Sequence, residues 1–138
     1  MSQDAALAAD MERKAEALVA AAAANRDELD FTLESLVSLD AMLDRLFGRR
    51  WLAGRSGRLD ASRFGAMIEP IGAYVGETLR RNLGGEWRHH DEYGPGLLLP
   101  SGMWTFPLAK AEKRFHNGHE DSLAFYAEAM AGMAGGLQ

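Results

Sequence analysis

Four histidines carry the clearest metal-binding chemistry in this sequence, because imidazole is the commonest metal ligand in proteins. They form two pairs, the adjacent His89 and His90 and the spaced His116 and His119, and acidic residues stand beside both pairs. Neighbouring residues of a strand point to opposite faces, and an Asn-Gly turn separates His116 from His119. At most two or three imidazoles could converge on one metal ion. Ordinary surface or loop positions explain the presence of the four histidines more simply than a metal site does. We predict neither a bound metal nor a cofactor.

Carboxylates are the next candidates, because a general acid and a general base need two carboxyl groups that face one pocket. On a helical projection Glu69 and Glu77 lie about 80 degrees apart and away from the apolar arc. Both are predicted to be solvated, Glu77 in an exposed ion pair with Arg81. The sequence contains no nucleophile elbow, no Walker loop, no dinucleotide fingerprint and no H-E-x-x-H.

An alternative function is that of an enzyme or a ligand- or metal-binding protein with a pocket between the third helix and the sheet that follows it. In such a site, a small number of polar side chains from the helix and from the strands lie together in a cleft that is otherwise apolar. The candidate pocket residues are Glu77, His89, Asp91 and Tyr93.

Arginine is concentrated between residues 45 and 63, where six arginines accompany only Asp60 and the adjoining Asp44 as acidic residues. Guanidinium groups bind carboxylates and phosphates with two parallel hydrogen bonds. The candidate anion-binding residues are Arg49, Arg50, Arg55 and Arg58. A solvated loop that pairs with the acidic first helix explains the segment as well. The net charge of -5 disfavours nucleic acid, so the expected anionic partner is an acidic protein.

The length of 138 residues and the 47% hydrophobic content predict one globular domain with one core. The absence of cysteine excludes a disulfide framework and agrees with a reducing compartment. The alanine-rich stretch 15–24 is too weakly apolar to span a bilayer, and the first ten residues lack the basic start of a secretory signal. We therefore expect a cytoplasmic protein without a membrane segment.

Two helices are expected before the arginine segment. The first, an alanine-rich helix over residues 1–28, has only a narrow apolar stripe, so we expect it to be loosely attached to a compact core over 29–138 or to pair with a second copy in a homodimer. The second has Thr32 as its N-cap, a contact between Phe31 and Leu36, and an end near residue 47, before a loop from Gly48 to Arg58.

The third helix, Asp60 to Leu83, has the clearest 3.6-residue period of the sequence. Gly65, Gly72 and Gly76 lie on one line beside its apolar arc, which predicts that another backbone approaches closely there. Pro70 predicts a kink or a break.

After Gly85 the period changes to 2, which predicts three short strands with turns at 94–96 and 100–102. Pro107 then starts a fourth helix and Asp121 caps a fifth. The fold class is therefore α+β, with about five helices packed with a three-stranded antiparallel β-meander. The predicted core contains Phe31, Leu36, Leu43, Phe47, Phe64, Ile68, Ile71, Val75, Leu79, Trp87, Trp104, Phe106, Phe115, Phe125 and Tyr126.

A resemblance covers about residues 70–122 and is carried by glycine, tryptophan and proline positions. These are Gly72-x-x-x-Gly76-Glu77-x-Leu79, Leu83-Gly84-x-Glu86-Trp87, Asp91-Glu92-Tyr93-Gly94, Phe106-Pro107-Leu108 and Lys113-Arg114. The segment resembles a family of small bacterial proteins known as a domain of unknown function. The resemblance implies a helix followed by a meander, and it implies no catalytic residue.

Together these patterns favour a non-enzymatic protein-interaction or regulatory module. Its expected partners are a second copy, through residues 1–28, and an acidic protein.

Overall fold

Five helices and one three-stranded sheet make up the part of the chain that the computed structural model describes, residues 2–53 and 61–135. The side chains of residues 47–53, 61–64, 119 and 135 lie outside that description. The helices are α1 (Gln3–Ala24), α2 (Ser35–Ala53), α3 (Ala61–Leu83), α4 (Pro107–Asn117) and α5 (Leu123–Gly135), with a 3-10 turn (Gly118–Asp121) before α5. The strands are β1 (Glu86–His90), β2 (Gly94–Leu98) and β3 (Trp104–Thr105). The predicted α+β class is confirmed.

The sheet is an antiparallel meander in the order β1, β2, β3. Trp87 pairs with Leu97, and Leu97 pairs in turn with Thr105, so these three residues share one face. The first turn lies at residues 91–93, and not at 94–96 as predicted, because Gly94 already pairs with His90. Gly94 therefore lies at the exit of the turn and not at its centre. Its φ of +78° is in the left-handed region, which glycine adopts readily.

Helix α1 packs against α3 and β1. Its apolar stripe is buried there, at Leu7, Met11, Ala15, Leu18 and Ala22. Ser2 caps the start of the helix by accepting a hydrogen bond from the backbone N–H of Ala5 at 3.0 Å. The first helix is therefore not loosely attached, as had been expected. The expectation underestimated how closely helices can pack where the side chains are as small as that of alanine.

Helix α1 ends at Ala24, several residues before the predicted end. The N–H groups of Arg26 and Asp27 return to the carbonyls of Ala23 and Ala22, both at 2.9 Å, in the pattern of a Schellman motif. Arg26 occupies its left-handed position with a φ of 65°, where glycine is usual. Because no glycine marks this stop, the sequence pattern did not reveal it.

Helix α2 begins at Ser35, three residues after the predicted N-cap Thr32. The Ser35 N–H donates to Thr32 Oγ1 at 3.1 Å, which is the hydrogen bond expected of a capping residue. Phe31, which was predicted to contact Leu36, has a left-handed φ of 63° and stacks on Tyr74 of α3 at a ring-centroid distance of 4.8 Å. The predicted end near residue 47 is wrong, because the helix continues through Gly48 to Ala53. Residues 54–60 of the predicted loop lie outside the described part of the chain.

Helix α3 is the centre of the molecule, since every residue from 71 to 79 is buried. It runs without interruption from Ala61 to Leu83 although it contains Pro70, so the predicted break is absent from this helix. Burial of the stretch from Ile71 to Leu79, which follows Pro70, stabilises the helix and offsets the loss of one backbone hydrogen bond. The helix ends as predicted at Gly84, which has a φ of +86°.

The backbone approach predicted at the three α3 glycines is confirmed at Gly72, whereas a side chain approaches Gly76. A methyl group on Gly72 would lie 2.8 Å from the Cα of Leu108, at the start of α4. A methyl group on Gly76 would overlap the indole ring of Trp87. Gly65 has open space around it. Two glycines therefore let α4 and β1 touch the α3 backbone.

The buried core contains most of the predicted residues with described side chains, among them Leu36, Ile71, Trp87 and Phe115. Three predicted core residues lie outside the core, since Phe125 is 70% exposed and Trp104 and Phe106 are half-buried at the surface. Phe47 and Phe64 have side chains outside the described part. Among the described helices, none is both long and apolar enough to cross a bilayer.

The substitution Gly76→Ala tests the glycine contact. Because the added methyl group meets a buried ring, we expect it to lower the free energy of unfolding by about 1 to 3 kcal/mol. Gly65→Ala is the matched control on the same helix and should raise stability by about 0.5 to 1 kcal/mol. Urea denaturation measures both, and a Gly76→Ala protein as stable as the control would contradict the close packing.

Candidate functional site

A cavity of about 640 Å³ opens between α1, the C-terminal half of α3 and β1. Its walls come from Asp4, Ala8 and Glu12 of α1, and from Arg80 and Arg88 on the other side. Glu77 lies at its buried end, with 1% of its surface exposed. This is the region between the third helix and the meander where the sequence placed a candidate pocket.

The carboxylate of Glu77 is held by donors from two directions. Arg80 donates from Nε to Oε2 at 2.7 Å and from Nη2 to Oε1 at 3.0 Å. Arg81 donates from Nε to Oε1 at 3.2 Å, and Trp87 donates from Nε1 to Oε2 at 2.8 Å. The prediction that Glu77 is solvated is wrong, because the Trp87 ring over Gly76 covers this side of the helix. The predicted pairing with Arg81 is present, and Arg80 joins it.

These contacts fix the protonation state of Glu77. Burial favours the neutral acid and by itself raises the pKa, but hydrogen bonds from Arg80 and Trp87, with the charges of both arginines, outweigh it and lower the pKa below the ordinary 4.5. Each carboxylate oxygen already accepts two hydrogen bonds. A carboxylate that is ionised and bonded in this way is poorly suited to serve as a general acid or base.

His89 lies near the same cavity but binds α1. Asp4 Oδ1 accepts hydrogen bonds from the backbone N–H of His89 at 2.9 Å and from its Nδ1 at 3.1 Å. These bonds lower the pKa of Asp4 below its ordinary 3.8. His89 thereby connects the start of α1 to β1. Among the described residues, no hydrogen bond joins its side chain to Glu77.

The other two candidate pocket residues lie elsewhere. Asp91 and Tyr93 belong to the exposed turn between β1 and β2, and Tyr93 stacks on His90 at a ring-centroid distance of 4.9 Å. His89 and His90 lie on opposite faces of β1, as predicted. The four candidate residues are therefore not gathered in one site.

Among the described side chains, which do not include that of His119, no group of three or more His, Asp or Glu residues is placed to hold a metal ion. His116 is exposed at the end of α4, and the side chain of His119 lies outside the described part.

A second buried polar network, which sequence reasoning missed, surrounds Asp40 of α2. Asp40 Oδ1 accepts from Arg114 Nε at 2.8 Å and from the N–H of Leu123 at 3.1 Å. Its Oδ2 accepts from Ser122 Oγ and from the N–H of Ala124, both at 2.9 Å. The start of α5 is thus capped by a carboxylate from another helix. The predicted cap, Asp121, instead accepts hydrogen bonds from Lys110 and Asn117.

Arg114 joins this network with its side chain fully buried. It also donates from Nη2 to Asp44 Oδ1 at 3.0 Å. Burial would raise the pKa of Asp40, but the hydrogen bonds from Arg114, from the α5 backbone and from Ser122 lower it below 3.8. The network fixes α2, α4 and α5 to one another.

Helical spacing contains a signal for two of these residues. Pro107, Ala111, Arg114 and Phe115 are the buried residues of α4, and they follow the i, i+4, i+7, i+8 spacing of an apolar face. A charged residue on such a face requires a buried partner. Asp40 has the same signal, because it lies on the buried face of α2, four residues after Leu36 and three before Leu43. The spacing does not identify its partners, which lie more than 70 positions away.

The arginine segment is described only at its start. Arg45 Nη2 donates to both carboxylate oxygens of Asp27 at 2.7 Å, just after α1. The side chains of Arg49 and Arg50, and all of Arg55 and Arg58, lie outside the described residues. The candidate anion site therefore stays a prediction.

Comparison with family models, with curated proteins and with solved structures finds no match to this chain. The resemblance of residues 70–122 to a bacterial domain of unknown function also stays a prediction.

The substitution Glu77→Gln tests the role of the buried carboxylate. Removal of its charge leaves Arg80 and Arg81 without their shared partner, and we expect a loss of about 2 to 3 kcal/mol, since both arginines still reach solvent. Glu69→Gln is the control on the same helix and should change stability by less than about 1 kcal/mol. Chemical denaturation at neutral pH measures the difference, and equal effects would contradict a structural role for Glu77.

Glu77 also predicts a pH dependence. Because its pKa in the folded protein is below 4.5, its stabilising effect is complete above that pH and is lost as the pH falls through the lowered value. The Glu77→Gln protein should therefore lose less stability than the wild type between about pH 7 and about pH 3. Parallel loss in the two proteins would show that Glu77 does not contribute to acid unfolding.

Proposed function

We propose that this chain is a non-enzymatic protein-interaction module of the cytoplasm that pairs with a second copy of itself through α5. The observation that carries the proposal is the apolar surface that α5 leaves uncovered. Phe125 is 70% exposed and Met133 is 48% exposed, and these two residues lie eight positions apart, on the same side of the helix.

The composition of α5 supports this proposal. The helix has 13 residues, of which Glu128 is the only charged one, and Leu123 and Ala127 are its only buried residues with described side chains. A helix that is apolar all round is normally buried on all sides. Exposed apolar surface of this kind is typical of protein contact sites.

A second copy is the partner that fits this surface best. The exposed face of α5 has one charge, at Glu128, and is otherwise apolar, so the same face of another copy is complementary to it in chemistry. The sequence placed a homodimer contact on residues 1–28. The apolar stripe of α1 is buried against its own chain, which moves the proposed contact to α5.

The chemistry of the buried carboxylates supports a non-enzymatic role. Glu77 and Asp40 each accept four hydrogen bonds, and both have lowered pKa values. Carboxylates in such surroundings hold helices together, whereas a general acid or base needs a free proton-transfer position and a pKa near neutral.

Two further partners stay as predictions from the sequence. An acidic protein, or less favourably nucleic acid, would bind the arginine segment 45–63, and the contact of Arg45 with Asp27 supports carboxylates as its ligands. The alternative of a ligand or substrate in the α1–α3–β1 cavity rests on its volume of about 640 Å³.

The substitution Phe125→Asp tests the dimer. Sedimentation equilibrium should give the mass of two chains for the wild type and of one chain for Phe125→Asp, because a charge in the contact is desolvated without a partner. Circular dichroism should show an unchanged fold, since Phe125 is exposed.

Ala20→Asp is the control, because Ala20 is an exposed residue of α1. It should leave the dimer intact. A monomeric wild type would overturn the proposal, and so would a dimer that Ala20→Asp disrupts and Phe125→Asp does not.

A further inference from the structure

A groove of about 370 Å³ lies between β3, α4 and α5, away from the cavity that contains Glu77. Aromatic side chains and lysines line it. Trp104 and Phe106 come from the end of the sheet, Lys110 and Lys113 from α4, and Tyr126 from α5.

The rings of Trp104 and Phe106 are parallel within 7°, with centroids 6.0 Å apart. His90 supports both, with its plane at 87° to Trp104 and at 81° to Phe106. Gly96 lies behind them, where a methyl group would approach the Phe106 ring to 2.7 Å and Trp104 to 3.1 Å. The two rings are therefore held in place by the sheet while both remain half-buried at the groove.

The charged side chains that line the groove are both cationic. Lys110 Nζ is 2.7 Å from Asp121 Oδ1, which leaves its charge partly compensated. Lys113 is exposed one turn further along α4. The Tyr126 hydroxyl contacts Thr105, and burial raises the pKa of Tyr126 to about 12, so this group stays neutral beside an anion.

We propose that the groove between β3, α4 and α5 binds a nucleoside monophosphate, with the base stacked on Trp104 or Phe106 and the phosphate near Lys113. Parallel aromatic planes stack on nucleobases, and an ammonium group attracts a phosphate. An uncharged apolar partner would have to desolvate the lysines without compensation. The volume lies within the range of small-ligand sites.

A free nucleotide fits better than a nucleic acid strand. Binding of a strand requires many phosphate contacts on a basic surface, and this chain has a net charge of -5. The groove supplies one exposed lysine, Lys113, and Lys110 paired with Asp121, which suits one phosphate group and not a series of them.

Adenosine monophosphate is the probe, titrated by NMR in phosphate-free buffer into the full chain. We expect upfield shifts of the adenine protons from the aromatic rings. Trp104→Leu should raise Kd by about fivefold or more, as expected for the loss of one stacking contact, and Trp104→Phe should restore most of the affinity. Thermal unfolding of both variants verifies that they fold.

Lys113→Gln should raise Kd by about threefold or more and reduce the dependence on salt. Arg13→Gln on α1 is the charge-matched control and should bind as the wild type does, since Arg13 lies on another surface. Adenosine without phosphate should bind more weakly than the monophosphate and without dependence on salt.

Three results would overturn the proposal. The first is no adenine shift at millimolar nucleotide, and the second is an affinity that Trp104→Leu leaves unchanged in a folded protein. The third is tighter binding of octathymidylate than of thymidine monophosphate, which would identify the ligand as a nucleic acid strand and not a free nucleotide.

Discussion

The contact of α3 with its neighbours at Gly72 and Gly76 is the constraint on which the rest of the structure depends. Without a side chain at these positions, the start of α4 and the ring of Trp87 lie directly on the helix backbone. That closeness brings Trp87 Nε1 within 2.8 Å of Glu77 and covers the carboxylate. The covered Glu77 carboxylate is ionised and needs the positive charges of Arg80 and Arg81. These arginines lie on its outer side, next to α1. One packing requirement thus leads to the buried charge and to the neighbouring cavity.

The sequence predicted the features that local chemistry determines. The apolar period of α3, its glycine line, the Thr32 cap, Pro107 at the start of α4 and the meander all follow from neighbouring residues, and the structure has them. The errors concern residues whose partners are distant in the chain. On a helical projection Glu77 lies on the side away from the apolar arc, which predicts that it is solvated. It is, however, the only charged residue between positions 71 and 79, the stretch that is buried in the structure. Asp40 caps α5 from another helix, which no local pattern reveals.

The two buried networks explain why the candidate pocket residues did not converge. Glu77 is bonded within its own helix and to β1, and His89 is bonded to Asp4, so each has a partner that maintains the fold. Asp91 and Tyr93 lie in the turn at 91–93, which the register of β1 and β2 places three residues before the predicted turn at 94–96. A charge buried with complete hydrogen bonding defines how helices are placed, and it gives little freedom for proton transfer.

What remains accessible follows from the order of the layers. Helices α1, α3 and α4 pack on the face of the sheet that carries Trp87 and Leu97, so the opposite face keeps His90, Trp104 and Phe106 at the surface. Helix α5 comes last. Asp40 binds its start and Leu123 and Ala127 are buried, while Phe125 and Met133 stay exposed. The fold therefore leaves one aromatic surface beside lysines and one largely apolar helical face whose single charge is Glu128. Because these surfaces differ in charge, they suit different partners, a small anion for the first and an apolar protein surface for the second.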